Sequence, residues 1–171
     1  MSLERGTDMN KDLQAVFSNR SDDWATPSVI FDYLEHKHYC KKGEWFDPCP
    51  LGAIEQGYNG LDVDWTAIDK HIFINPPYSD IKSFVEKAIK THETKDCRYG
   101  KRIWFLIPAR TDTKYYKLLF EYGCDFYFIE GRLKFGNSKH SSTFPSVLVR
   151  LSSHDNHIYY LSKNELYGGT K

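Results

Sequence analysis

The tetrapeptide Asn-Pro-Pro-Tyr at positions 75 to 78 combines residue types that can act on an amino group attached to a ring. Two consecutive prolines hold the backbone extended and carry no amide hydrogen, which fixes the carbonyl of Pro76 as an acceptor. That carbonyl and the side-chain oxygen of Asn75 can accept both hydrogens of an exocyclic amino group, which makes its nitrogen a better nucleophile. Tyr78 adds a flat face on which a base can stack once it has left its duplex.

The residues on either side place this turn between a strand and a helix. The apolar run "HIFI" before it predicts a buried strand, and residues 81–89 carry apolar side chains at helical spacing. In an α/β sheet, the turn after a parallel strand lies at the edge where ligands bind. For the tetrapeptide alone a structural interpretation stays open, in which Asn75 binds local amides and Tyr78 fills the core.

Strand and helix patterns alternate along most of the chain and end in three strands. Helices are predicted from about residue 27 to 36 with Thr26 as the cap, from Ser79 or Asp80 onward, and through Tyr115 to Tyr122 before Gly123. The predicted strands are "EWF", "HIFIN", "RIWFLIPA", "DFYFIEG", "PSVLVRL" and "NHIYYLS". This order predicts a three-layer α/β sandwich with a mixed sheet whose late strands are antiparallel. The turns in "FDPC", "FINPPY" and "LIPAR" are expected to face one crevice.

Length and charge limit the possible classes of protein. A chain of 171 residues predicts a single domain, which we place at residues 22–171 after a flexible arm of residues 1–21. The 23 basic and 23 acidic residues cancel, which argues against binding nucleic acid by bulk charge but leaves room for a local basic face.

The cysteines predict a reduced, intracellular protein rather than a disulfide scaffold. Cys40, Cys49, Cys97 and Cys124 show no Cys-x-x-Cys pairing, and no apolar amino-terminal segment suggests a signal peptide or a membrane span, which favours the cytoplasm. The group formed by Cys40, Cys49, His36 and His38 lacks the paired spacing of a zinc site, so no metal is expected.

The catalytic turn and its surroundings also resemble a known family. Asn-Pro-Pro-Tyr after a hydrophobic strand is similar to the catalytic motif of amino-group methyltransferases that use S-adenosylmethionine. The wider pattern "DDWATP", "FDPCP", "NGLDVDW", "FINPPYS", "LIPARTDT", "GRLKF" and "FPSVLV", from about Asp22 to Leu151, closely resembles the small phage and prophage DNA adenine-N6 methyltransferases of the phage Dam family. The resemblance implies a Rossmann-like methyltransferase sheet, S-adenosylmethionine as cofactor, and adenine in DNA as the substrate, reached by base flipping.

Matching positions suggest roles for individual residues. The resemblance implies that the catalytic turn is Asn75, Pro76, Pro77 and Tyr78. It implies cofactor contacts from Trp24, Thr26 and Pro27 beside the methionine part, and from Asp47, Pro48 and Cys49 in the main binding turn. S-adenosylmethionine is therefore expected in a crevice to which Asn75 also contributes. It also implies that Phe135 packs against the flipped base. Arg110 and Arg132 are added on chemical grounds, because a guanidinium near the crevice mouth can contact phosphate; for each, a surface ion pair is an equal alternative.

Two departures from the usual methyltransferase pattern concern the cofactor. A glycine-rich loop is replaced by "DPCPLG", with only Gly52 near, so the backbone cannot cradle a cofactor in the usual way. The usual acidic residue for the ribose is also missing; Asp62 or Asp64 can substitute for it or can merely cap a turn.

Other functions share parts of this pattern. Asn-Pro-Pro-Tyr also serves enzymes that methylate a glutamine amide in proteins, and a non-catalytic relic that binds DNA or cofactor is a further alternative. The candidate segments for reading a DNA sequence are the loops around Thr91 to Lys101 and Lys134 to Phe144. The oligomeric state is left open.

Overall fold

The computed structural model describes residues 25–41, 43–94, 102–136 and 141–168. The elements in these ranges are α1 (Ser28–His38), β1 (Trp45–Phe46), two 3-10 turns (Gly60–Asp62 and Trp65–Ala67), β2 (His71–Ile74), α2 (Ile81–His92), β3 (Ile103–Pro108), α3 (Lys114–Tyr122), β4 (Cys124–Ile129), β5 (Ser146–Leu151), β6 (His157–Leu161) and α4 (Lys163–Leu166). The predicted arm of residues 1–21 lies outside the described residues, so the arm and the domain boundary stay predictions. None of the described helices is long and apolar enough to span a bilayer.

The strands form one mixed sheet in the order β1-β2-β3-β5-β4-β6. Strands β1, β2 and β3 pair in parallel, and β5 runs antiparallel between β3 and β4. The predicted mixed sheet and the antiparallel pairing of β4 with β5 are confirmed. The antiparallel prediction is wrong for β6, which skips β5 and pairs in parallel with β4. The reason is that β5 already lies between β3 and β4, so the last strand joins the sheet beside β4, the edge strand next to β5.

Helices cover both faces of the sheet, which confirms the three-layer architecture. On one face, α2 and α3 pack over strand residues such as Ile74, Phe105 and Val149. On the other face, α1 and α4 pack over the alternate residues, such as Phe73 and Leu148. Strand β3 is buried along its whole length, as its unbroken apolar sequence predicts for a strand covered on both faces.

The start of α1 differs from the predicted capping arrangement. Pro27 is the N-cap residue, with extended φ and ψ of −60° and 134°, and no side chain caps the helix. Thr26 therefore lies one residue outside the cap, and the prediction that it caps the helix is wrong. A hydroxyl at that position is too far from the amides of the first turn, which leaves it available for a partner elsewhere in the fold.

Candidate active site

An open crevice lies at the carboxyl ends of β1 and β2. It has a volume of about 400 Å³. Its walls come from the turn after β1, the segment around the first 3-10 turn, the Asn-Pro-Pro-Tyr turn after β2 and the start of α2. The lining residues are Pro48, Cys49, Pro50, Ala53, Ile54, Gly57, Tyr58, Asn59, Gly60, Leu61, Asn75, Pro77, Asp80 and Phe84. Of the three turns expected to face one crevice, those in "FDPC" and "FINPPY" line this one, whereas no residue of the "LIPAR" turn is among its lining residues.

The Asp-Pro-Cys-Pro turn after β1 is closed by its own aspartate. The backbone N–H of Cys49 donates a 2.8 Å hydrogen bond to Oδ1 of Asp47, which folds the carboxylate over the turn. Gly60 packs directly on this turn: a Cβ at Gly60 would lie 1.9 Å from the carbonyl oxygen of Pro48. The backbone at Gly60 therefore lies close against the turn after β1. This close approach comes from a later segment and not from a glycine-rich loop in the turn itself. The sequence interpretation missed this residue, although the Asn59-Gly60 pair is a recognisable turn signal.

The turn after β1 carries a carboxylate, next in sequence to the lining residue Pro48, whose ionisation is strongly perturbed. Asp47 is exposed, so water reaches it, yet the surrounding protein atoms raise the pKa of its carboxyl to about 6; desolvation dominates, and the Cys49 hydrogen bond partly opposes it. Burial, aided by the Asp47 charge, raises the pKa of the Cys49 thiol well above its usual value, so the thiol is neutral. Asp47 also contributes to the raised pKa of Tyr58, after burial, so its charge is felt at a residue that lines the crevice.

Asn75 is held by the segment that precedes α1. Its side chain is nearly buried, with 8% exposure, and its Nδ2 donates a 3.2 Å hydrogen bond to Oγ1 of Thr26. The carbonyl of Pro77 accepts the N–H of Asp80 at 3.0 Å, so the second proline closes the turn and leads into α2. Thr26 and Asn75, both predicted site residues, are therefore in direct contact.

An aromatic chain connects the catalytic turn to the loop before β5. The ring of Tyr78 meets Phe144 edge to face, with centroids 5.0 Å apart at 86°. Phe144 in turn lies 6.3 Å from Phe135, which is only 3% exposed and belongs to the core beneath α1. The role of Phe135 beside the base stays a prediction, and Phe144, which ends the 134–144 loop, is a residue in contact with Tyr78.

The remaining predicted site residues lie farther from the crevice or outside the described part of the chain. Arg110 and Arg132 are both exposed, and they follow β3 and β4 at the sheet edge that also carries the crevice. Pro27 is the N-cap residue of α1. Trp24 lies outside the described residues, as do parts of both candidate recognition loops, residues 95–101 and 137–140.

The two acidic candidates for a cofactor ribose differ in their surroundings. Asp64 caps the second 3-10 turn: its Oδ1 accepts the backbone N–H of Thr66 at 3.0 Å and the Thr66 hydroxyl at 2.7 Å. These bonds lower the pKa of the Asp64 carboxyl. Asp62 is exposed at the end of the first 3-10 turn, next to Leu61 of the crevice wall. Asp64 therefore caps a turn, and the contact of either residue with a cofactor ribose stays a prediction.

The cluster of histidines and cysteines does not assemble into a metal site. Among the described residues, no three His, Cys, Asp or Glu side chains are grouped closely enough to hold a metal ion. Cys40 and Cys124 are buried thiols, and Cys49 belongs to the turn after β1.

Comparison with known proteins identifies two similarities. A family model described as DNA N-6-adenine-methyltransferase (Dam) matches residues 14–147. A DNA N-6-adenine-methyltransferase of Escherichia phage T1 is 28% identical over 99 residues, which cover 56% of this chain and 39% of the phage protein. The chain thus matches well under two thirds of that relative. The family match includes both turns of the crevice, Thr26 and Phe144.

Proposed function

Because the chain belongs to the DNA N-6-adenine-methyltransferase (Dam) family, we propose that it transfers a methyl group from S-adenosylmethionine to the N6 amino group of adenine in DNA. The observation that carries the proposal is the single crevice lined by both the Asp-Pro-Cys-Pro turn and the Asn-Pro-Pro-Tyr turn. A methyl transfer needs donor and acceptor in line and nearly in contact, so the groups that hold them must share one cavity.

The residues of the crevice fit the proposed cofactor. A volume of about 400 Å³ lies within the usual range for small-molecule sites. Leu61, Phe84 and Tyr58 offer apolar and aromatic walls for a flat ring system. Asp47, next in sequence to the lining residue Pro48, is mostly ionised at neutral pH, since its pKa is about 6, and suits a ligand with positive charge. When bound, S-adenosylmethionine supplies an electrophilic methyl group.

The catalytic turn provides acceptors for the reacting amine. The lone pair of the adenine amino group is shared with the ring, which makes the nitrogen a poor nucleophile. Oδ1 of Asn75 and the carbonyl oxygen of Pro76 accept its two hydrogens and stabilise the positive charge that develops on nitrogen as the methyl arrives. The methylated nitrogen is then strongly acidic and releases a proton to water, so no general base is required.

Tyr78 and the exposed residues at the same end of the strands contact the DNA. The adenine must leave the duplex to reach the crevice, and the ring of Tyr78 stacks on it there. Phe144 packs against Tyr78 and so connects the turn to the 134–144 loop, a candidate for target recognition. Arg110 and Arg132, exposed on the same edge, contact phosphates. With no net charge, the protein binds DNA weakly and loses affinity as salt rises.

The test is incubation with methyl-labelled S-adenosylmethionine and adenine-containing DNA, followed by mass analysis of the digested nucleosides. N6-methyl-2′-deoxyadenosine from the wild type, and about a hundredfold less or none from Asn75→Ala, is the expected result. Label found in glutamine of an added protein substrate would replace this proposal with amide methylation. Folded protein that binds the cofactor but transfers no methyl group would identify a non-catalytic relic.

A further inference from the structure

Thr26 does not cap α1, and its hydroxyl instead contacts a residue of the catalytic turn. Its Oγ1 accepts the hydrogen bond from Nδ2 of Asn75, a residue 49 positions away in the chain. We propose that Thr26 is a positioning residue, which holds the Asn75 amide so that Oδ1 is the end presented to the reacting amine. The inference rests on the proposed methyl transfer, because only there does the direction of the amide matter.

An asparagine needs such an anchor because its two ends have opposite chemistry. The terminal torsion of Asn is broad and roughly two-fold, so the side chain alone does not choose which end faces the crevice. Oδ1 accepts hydrogens, whereas Nδ2 only donates. An amide turned over would therefore set donor against donor at the amine. A bond from Nδ2 to Thr26 directs Oδ1 away from Thr26 and fixes the plane of the amide.

The segment that carries the Thr26 hydroxyl is itself restrained on both sides. The carbonyl of Ala25 accepts the N–H of Gly136 at 3.1 Å, which joins the segment to the loop after β4. Pro27 has a fixed φ and caps α1, where its carbonyl accepts the N–H of Ile30 at 3.0 Å. Threonine is also stiff at χ1 because it is β-branched. The restrained backbone and the stiff side chain thus hold the Thr26 hydroxyl in position to accept the hydrogen bond from Asn75.

A cofactor contact and a positioning role predict different kinetics. A residue that binds only the cofactor changes KM or Kd for S-adenosylmethionine and leaves kcat alone. A residue that orients Asn75 acts where charge develops in the transition state, so its loss lowers kcat with little change in cofactor affinity. The matched pair Thr26→Val and Thr26→Ser separates these roles, since valine keeps the shape without the acceptor and serine keeps the hydroxyl.

We expect Thr26→Val to lower kcat about tenfold, equivalent to about 1.4 kcal/mol. Its Kd for S-adenosylmethionine, measured by calorimetry, should change by less than about twofold. Thr26→Ser should retain most of kcat. Ser152→Ala is the control. The Oγ of Ser152 also makes one part-buried hydrogen bond, to the carbonyl of Gly123, but Ser152 follows β5 at the end of the strands opposite the crevice.

A second readout does not depend on activity. The side-chain NH2 signals of Asn75, identified in ¹⁵N NMR spectra by their loss in Asn75→Ala, should exchange with water several-fold faster in Thr26→Val. In Ser152→Ala the exchange should match the wild type.

If the wild type methylates adenine, an unchanged kcat in Thr26→Val would overturn the inference. So would a raised Kd for S-adenosylmethionine as the only defect of Thr26→Val, or a kcat of Thr26→Ser no higher than that of Thr26→Val. Unchanged NH2 exchange in Thr26→Val would also overturn it. A folded wild type that transfers no methyl group to adenine overturns the proposed function, and this inference with it.

Discussion

The protonation state of Asp47 should control how tightly the crevice holds a cationic cofactor. Desolvation raises the pKa of this carboxyl to about 6, whereas the pKa of an ordinary aspartate is 3.8. A positively charged ligand favours the ionised carboxylate, so binding should weaken as the pH falls through 6. We predict that Asp47→Asn removes this pH dependence and weakens binding of S-adenosylmethionine at pH 7.

The size of the effect follows from the fraction of carboxylate that is ionised. With a pKa of about 6, that fraction is about nine-tenths at pH 7 and about one-tenth at pH 5. The wild-type dissociation constant should therefore rise about tenfold between these two pH values. At pH 7 the Asp47→Asn variant should bind at least as weakly as the wild type does at pH 5, since about one-tenth of the wild-type carboxylate is still ionised at pH 5 and none is in the variant.

The same shift sets the sign of a stability effect. Because the pKa of Asp47 is higher in the folded than in the unfolded protein, protonation of Asp47 favours the folded state. This stabilisation is complete below the unfolded pKa of 3.8 and is lost as the pH rises through the folded pKa of about 6. Near neutral pH the ionised Asp47 therefore destabilises the cofactor-free protein. Because the residue is exposed and screened by water, we expect Asp47→Asn to raise the free energy of unfolding by at most about 1 kcal/mol.

Calorimetric titration with S-adenosylmethionine from pH 5 to pH 8 measures the first effect, and urea denaturation at pH 7 measures the second. Asp155→Asn is a matched control, because Asp155 is an exposed carboxylate just before β6, at the opposite edge of the sheet. Equal affinity of the wild type at pH 5 and pH 7 would refute the reasoning. So would an Asp47→Asn variant that keeps the wild-type pH profile.

Three further predictions concern the catalytic turn and the far edge of the sheet. Asn75→Ala should lower kcat about a hundredfold or more while cofactor affinity is retained, because one preorganised acceptor is lost; near-normal turnover would contradict the assigned role. Tyr78→Phe should keep much of the activity and Tyr78→Ala should lose most of it, since stacking needs only the ring; equal loss in both would show that the hydroxyl matters. Asp125 is 1% exposed and accepts hydrogen bonds from Arg150 and His157. Asp125→Ala should lower the free energy of unfolding by about 3 kcal/mol in urea denaturation, and an unchanged midpoint would show that this ion pair adds nothing.

The local sequence determined the elements and the location of the chemistry. Apolar spacing is enough to locate α2, because its inward side chains recur at helical intervals, and an unbroken apolar run is enough to identify β3 as a fully buried strand. The Asn-Pro-Pro-Tyr turn was recognisable because proline and asparagine restrict the backbone and supply acceptors within four consecutive residues. These features depend on near neighbours in the chain, which a sequence displays directly.

Contacts between distant segments were decided only by the tertiary structure. Thr26 looks like a helix cap from its neighbours, yet its hydroxyl meets Asn75 across the fold. Phe144 looks like a loop residue, yet it packs on Tyr78. Strand β6 follows β5 closely in sequence but pairs with β4, because β5 has no free edge. In each case the partner is chosen by which strand edges and cavities are left once the sheet has assembled, and residue spacing along the chain does not encode that choice.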